Sequence, residues 1–424
     1  PVPDSVYDSY TSMPTTNNVE LEGTSFLVNW QATDELSLKY VATSREGYSK
    51  TNIDFDNTSL DIFDVPAIYD DENTTHELQA NYVGDSFTVA SGIYAYDGES
   101  CGHFDAILSV FGRALSLPGL TREVTGCNNS KSIAAYIQTS IDITEQLSLT
   151  VGGRYTKEEK EAYVNNGLAF ASVYPSDGWI PGYERGEVSF PQVLGTDTDG
   201  DGILDASKKK EWSRFTPRIG LEYQYDDDTM IFASYSQGFK SGTFNPRAQT
   251  NESAANPEIL DSIEIGIKKD WNDVLRSNVT IFSLDHQDRQ YVIVTPDPDD
   301  LTVLNQSLGN IKGSTGQGIE AEITWAATDN LRLDFSIGYI DIELEDDPSV
   351  AVPLVGISNT PDYTMNLSAN YTMDTDMGYF VFSGGYYYRD DYLLFEDSDS
   401  LLQEGYGTLN ASVTWEGDDG NWYG

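Results

Sequence analysis

Basic residues are scarce. The 424-residue chain carries 24 Lys and Arg against 69 Asp and Glu, a formal net charge of −45. Nucleic acid needs a cationic surface, so that class of partner is excluded. Long apolar runs are missing as well. No stretch reaches the roughly 18 apolar residues a transmembrane helix requires. Cysteine is limited to Cys101 and Cys127, both in a glycine- and polar-rich segment. They can close a loop as a disulfide in an oxidising compartment, or stand as two unrelated thiols; no metal-ligand spacing involves them. The start, PVPDSVYDSY, has neither an initiator Met nor a basic-then-apolar leader, so a processed product or a fragment is expected. Gly-rich phosphate loops, Gly-x-Ser-x-Gly and Ser/His/Asp arrangements are absent. The three histidines, His76, His103 and His286, are far apart in sequence and belong to no cluster with metal-ligand spacing. Catalysis is not expected.

Aromatics are plentiful, at 12%, with 27 Tyr, 17 Phe and 7 Trp, which separates this acidic chain from the disordered ones. Period-2 alternation dominates. In LRLDFSIGY, Leu331, Leu333, Phe335, Ile337 and Tyr339 share one face, and Arg332, Asp334, Ser336 and Gly338 the other. YTMNLSANY (363–371), LSLTVGGRY (147–155) and PRIGLEYQY (217–225) repeat the pattern. Successive side chains on a strand point to opposite sides, so each is a ribbon with one apolar face.

Fifteen strands are expected, near 18–32, 35–52, 73–83, 86–97, 131–144, 147–163, 209–225, 229–242, 257–271, 276–295, 312–327, 330–345, 359–373, 377–392 and 403–416. Many are longer than the five or six residues usual in soluble proteins. Short turns (DE, GD, EQ, DDD, ND, TDN, DTDM) alternate with long connections at 53–72, 98–130, 164–208, 243–256, 296–311, 346–358 and 393–402. Such a meander is the signature of an all-β transmembrane antiparallel barrel, with short turns at the periplasmic end and long loops outside. Lipid tolerates a sheet only when it is closed. Trp271, Trp325, Trp415, Tyr225 and Tyr388 would then sit at the membrane interfaces. A β-propeller would need a blade repeat of roughly 40–45 residues, which is not found; a stack of soluble sandwiches is the other competitor. The first expected strand and the fifteenth both precede a short turn, and NWYG (421–424) reads as the start of another. An odd count cannot close, so the chain reads as an interior piece of a larger barrel, 1–424 forming one partial barrel domain.

PRIGLEYQYDDDTMIFASYSQGFKSGTFNPR (217–247) resembles the mid-barrel signature of TonB-dependent outer-membrane receptors, through Tyr235, Ser236, Gly238, Phe239, Lys240, Gly242, Phe244 and Asn245. NPEILDSIEIGIKKDW (256–271), through Pro257, Glu258, Glu264, Gly266 and Lys268, and NIKGSTGQGIEAEITW (310–325), through Gly318, Glu320 and Glu322, are similar to two further strands of that family. The resemblance implies a 22-stranded barrel, of which these would be about the sixth to the twentieth strands, with the plug, the Ton box and the last strands outside this sequence. It implies an outer-membrane importer of a scarce nutrient, by default an iron–siderophore complex. The implied partners are outer-membrane lipid, the TonB–ExbB–ExbD complex and a small-molecule or metal-chelate ligand; no cofactor is required. A passive porin and a soluble calcium-dependent adhesin are the alternatives.

Three local readings complete the sequence. In DTDGDGILD (197–205), Asp197, Asp199, Asp201 and Asp205 stand at positions 1, 3, 5 and 9 of a loop with Gly202 at its turn, a pattern that suits a structural calcium ion within 164–208; a solvated acidic tip is the alternative. Lys240, Phe244 and Arg247, where a rising strand meets its outer loop, are candidate ligand contacts; rim charges are the alternative for the two cations. Glu264, Glu320, Glu322 and Arg218 on the polar faces are expected to form charge networks able to hold a plug.

Overall fold

The computed structural model describes residues 5, 8, 10–13, 15–60, 62–170, 190–296, 304–348, 350 and 353–417. NWYG, its preceding turn and the middle of 164–208 lie outside these residues.

The elements are β1 (Asn17–Gln31), β2 (Leu36–Asp54), β3 (Asp64–Val83), β4 (Phe87–Ile107), α1 (Ser109–Ala114), β5 (Leu120–Asp142), β6 (Leu147–Phe170), β7 (Gln192–Leu194), β8 (Lys208–Asp226), β9 (Thr229–Lys240), β10 (Glu258–Asn272), β11 (Leu275–Gln287), β12 (Arg289–Pro296), β13 (Leu304–Ile311), β14 (Ser314–Thr328), β15 (Leu331–Leu344), β16 (Tyr363–Thr375), β17 (Gly378–Arg389), β18 (Tyr392–Phe395), β19 (Ser398–Gln403) and β20 (Tyr406–Glu416). One 16-stranded sheet contains most of them. β7 pairs only with β6; the other fifteen follow each other in chain order, every pair antiparallel. Each corresponds to one of the fifteen expected strands. Among the described residues the path is open, β1 pairing with β2 alone and β20 with β17 alone.

The ladder carries the apolar alternation across the sheet. Val28, Tyr40, Leu78, Ile93, Ala135, Tyr155 and Phe215 are successive partners on one face. Leu221, Ala233, Ile265, Ile281, Ile319, Tyr339 and Tyr363 continue that face through the second half. Large members stay outside any core: Ile93 and Phe215 are both 58% exposed. In water such a continuous apolar surface is a liability; in lipid it is the required surface. Trp30, Tyr225, Trp271 and Trp325 cluster on it at the short-turn end, and Tyr388 stacks on Tyr363 at the other (centroids 5.7 Å apart). The short turns are set by side-chain oxygens. Thr33 Oγ1 accepts the amides of Glu35 and Leu36, and Thr144 Oγ1 those of Gln146 and Leu147, the local bonding that favours such residues in turns.

Beyond the apolar band the strands continue where loops were expected. β3 starts at Asp64, β4 runs to Ile107, β5 begins at Leu120 and β6 reaches Phe170. The backbone ladder needs no apolar face, and outside lipid both faces are free to be polar, so alternation fades while pairing persists. Two long connections hold their own hairpins, β12–β13 and β18–β19. The expected strand 276–295 is broken at Asp288, which takes a left-handed conformation (φ 53°) and starts β12.

Candidate functional site

On the polar face, above the band, the 243–256 connection folds back onto the wall. Val124, Ala162, Val164 and Trp212 from β5, β6 and β8 meet Leu194, Phe244, Ala248 and Ala254, with Phe104 packed alongside. Phe244 is 2% exposed. The expectation that Phe244 is a rim ligand contact is therefore corrected: its ring anchors the loop, because burial in this small core is the favourable place for a large apolar side chain. The motif around it is a folding device. A Cβ on Gly242 would lie 2.3 Å from both Trp212 and the Ala255 carbonyl. Asn245, 5% exposed, accepts the Arg247 amide at 2.9 Å and donates to the Gln306 carbonyl at 3.3 Å.

Hairpin β12–β13 fastens the same loop. Gln290 Nε2 donates to the carbonyls of Ser241 (2.8 Å) and Asn256 (2.9 Å), and Asn310 donates to those of Asn256 and Asp288. Glu258 is the hub: its carboxylate takes Lys240 Nζ, His286 Nε2 and the Gln290 amide, each at 2.9 Å. Burial pushes the Glu258 carboxyl up, but these three bonds outweigh it and hold it below its ordinary range. Lys240 thus keeps its place at the rim, engaged in a latch.

Arg247 and Arg122, the latter from the polar face of β5, lie together. Arg122 Nη2 donates to the Arg247 carbonyl at 3.4 Å, and the Arg247 guanidinium sits 5.4 Å from the Phe104 ring centre. Sequence reasoning missed Arg122 because its neighbour is 125 residues away.

Cys101 and Cys127 are direct partners across β4 and β5, Cα atoms 4.1 Å apart, and are disulfide-bonded. The bond joins paired strands rather than closing an irregular loop. Asp197, Asp199 and Asp201 converge, with an oxygen of each within 4.8 Å of the others. Gly200 and Gly202 take left-handed φ values of 82° and 91°, which lets their amides reach Asp197 at 2.6 and 2.9 Å and lowers its pKa. Asp205 does not join them; it binds the amide and hydroxyl of Thr198. Glu264 and Glu322 face the polar side, as expected, but their bonds go to neutral Ser262 and Asn278, not into an ion-pair network among the described residues. Two histidines stand beside carboxylates that sequence spacing did not reveal: His286 on Glu258, and His103 at 3.8 Å from Glu123, with Asp105 adjacent.

The family description "TonB dependent receptor-like, beta-barrel" matches residues 2–422. The chain belongs to the TonB-dependent receptor β-barrel family. The fold is also that of solved receptors. It resembles the ferric yersiniabactin uptake receptor FyuA from Yersinia pestis, with a TM-score of 0.75 and 15% identity over 96% of this chain and 55% of that one. The siderophore receptor PiuA from Acinetobacter baumannii gives 0.66 and 15%, over 95% and 58%. Over 147 residues the chain is 30% identical to the metal-pseudopaline receptor CntO of Pseudomonas aeruginosa, a match covering 35% of this chain and 19% of that protein. The chain thus spans little more than half the length of the solved receptors and a fifth of the curated relative. The anchored 243–256 loop lies on the polar face of this family's barrel wall.

Proposed function

We propose that this barrel belongs to an outer-membrane receptor that imports a metal chelate, foremost an iron–siderophore complex, by transport coupled to TonB–ExbB–ExbD. The observation that carries the proposal is the vertical division of the wall. An unbroken apolar band, with aromatics at its edges, suits outer-membrane lipid. Above it stands a tall polar palisade whose inner side carries a loop pinned by Phe244, Gln290 and Asn310. The proteins of similar fold or sequence are named as a yersiniabactin receptor, a siderophore receptor and a metal receptor, which supports a chelate as cargo. The test is uptake of radiolabelled ferric chelates by metal-starved cells with and without the parent gene, repeated after the proton gradient is collapsed. Uptake that survives gene deletion would remove the proposal; uptake that needs the gene but ignores the gradient would leave a pore.

The loop 197–205 is proposed to hold a structural calcium ion through Asp197, Asp199 and Asp201. Three convergent carboxylates fit a hard cation, but calcium takes six to eight oxygens. Asp205 would have to leave Thr198, or water would complete the shell.

A further inference from the structure

With 69 acidic residues to 24 basic ones, an arginine here has carboxylates in abundance. Arg122 and Arg247 use none: among the described residues neither forms an ion pair. Neutral groups hold them instead. Arg122 Nε donates to Asn166 Oδ1 at 3.1 Å and Nη2 to the Arg247 carbonyl, while Asn166 Nδ2 donates to the Ala248 carbonyl at 3.0 Å. Arg247 is exposed and rests over Phe104, a cation–π seat that fixes the guanidinium without neutralising it. Burial, and then the neighbouring Arg247 charge, hold Arg122 below its usual range. On the same face Lys208 and Lys210 are also bound by neutral oxygens, those of Asn251, Glu252 (carbonyl) and Asn256. Like charges placed together at a lumen mouth, with no ion pair to a described carboxylate, are a standing electrostatic cost unless a ligand relieves it.

We propose that Arg122 and Arg247 form an anion-binding subsite for the free carboxylate of a metal chelate, with Phe104 as its apolar floor. The guanidinium fork matches a carboxylate in two parallel bonds. The inference rests on the receptor reading above and narrows its cargo to carboxylate-bearing chelates.

The experiment uses the intact parent receptor in detergent and follows tryptophan fluorescence with two probes, anionic ferric citrate and cationic ferrioxamine B. Wild type is expected to favour ferric citrate. Arg122→Gln and Arg247→Gln should each weaken it tenfold or more, Arg122→Lys less, with ferrioxamine B unchanged. Arg247→Gln keeps the backbone carbonyl that receives Arg122, so the loop holds, and resistance of 243–256 to protease confirms this. Inorganic phosphate should displace ferric citrate only at far higher concentration. The subsite is overturned if both probes weaken alike in a protease-resistant variant, if the double variant binds ferric citrate as well as wild type, or if phosphate competes on equal terms. If wild type binds neither chelate while the parent gene still supports gradient-dependent chelate uptake, the subsite falls and the receptor reading stands; if that uptake is missing as well, the receptor reading falls with it.

Discussion

The indole of Trp212 lies against the backbone of Gly242, so closely that a Cβ there would be 2.3 Å from Cε2 and Cζ2. The strand wall and the outer loop are joined by this absence of a side chain. Gly242→Ala is expected to displace the loop at a cost of roughly 1–3 kcal/mol, the range for overpacking a filled core. Limited proteolysis should show new cleavage within 243–256 while the membrane band stays resistant. Unchanged cleavage would show that the contact is loose.

Phe244→Ala empties the same core from the other side. The loss should be roughly 3–5 kcal/mol of local stability, read as faster hydrogen exchange at the Ala255 amide, which bonds the Thr243 carbonyl at 2.9 Å. Amides low in β9 should be unaffected.

The Glu258 latch has a defined pH dependence. Its folded pKa is depressed below the ordinary 4.5, so its bonds stabilise fully above that value and are lost as pH falls through the lowered one. Protection of the Gln290 amide, corrected for intrinsic exchange, should be level from pH 7 to 5 and drop only in stronger acid. A drop complete by pH 6 would contradict this assignment.

Reduction of Cys101–Cys127, with a sequence separation of 26, should lower resistance to unfolding of the outer β4–β5 hairpin. In the chain-entropy picture a loop of this size is worth about 3.5 kcal/mol. Urea unfolding with and without reductant checks it, and Cys101→Ser should mimic the reduced protein.

Calcium should shield 190–207 from protease, with the effect abolished by chelator and by Asp197→Asn. Protection by magnesium at equal concentration would argue for general screening of an acidic tip instead.

The membrane half of this architecture was legible because lipid imposes apolar alternation, and Ile93, Tyr155 and Phe215 show it plainly. The outer half was not. Between Asp97 and Ile107 both faces of β4 are mixed in character, so nothing marks the strand except the ladder itself. Phe244 was misjudged because a lone aromatic in a polar loop reads equally as ligand contact or anchor. The hints that decide it, Trp212 on an otherwise polar face and Ala248 and Ala254 within the loop, gain meaning only once they meet. Arg122 and Arg247 are joined by topology alone.

The length of β5, 23 residues, has a consequence for what an arriving solute feels. In an outer membrane about ten of these residues would cross the bilayer; the remainder would rise on the order of 30 Å above it after tilt. Screening in physiological salt extends only about 8 Å. Head-group phosphates are therefore electrically silent at the top of the palisade. What a charge meets there is set by the protein groups within that distance, Arg122 and Arg247 among them.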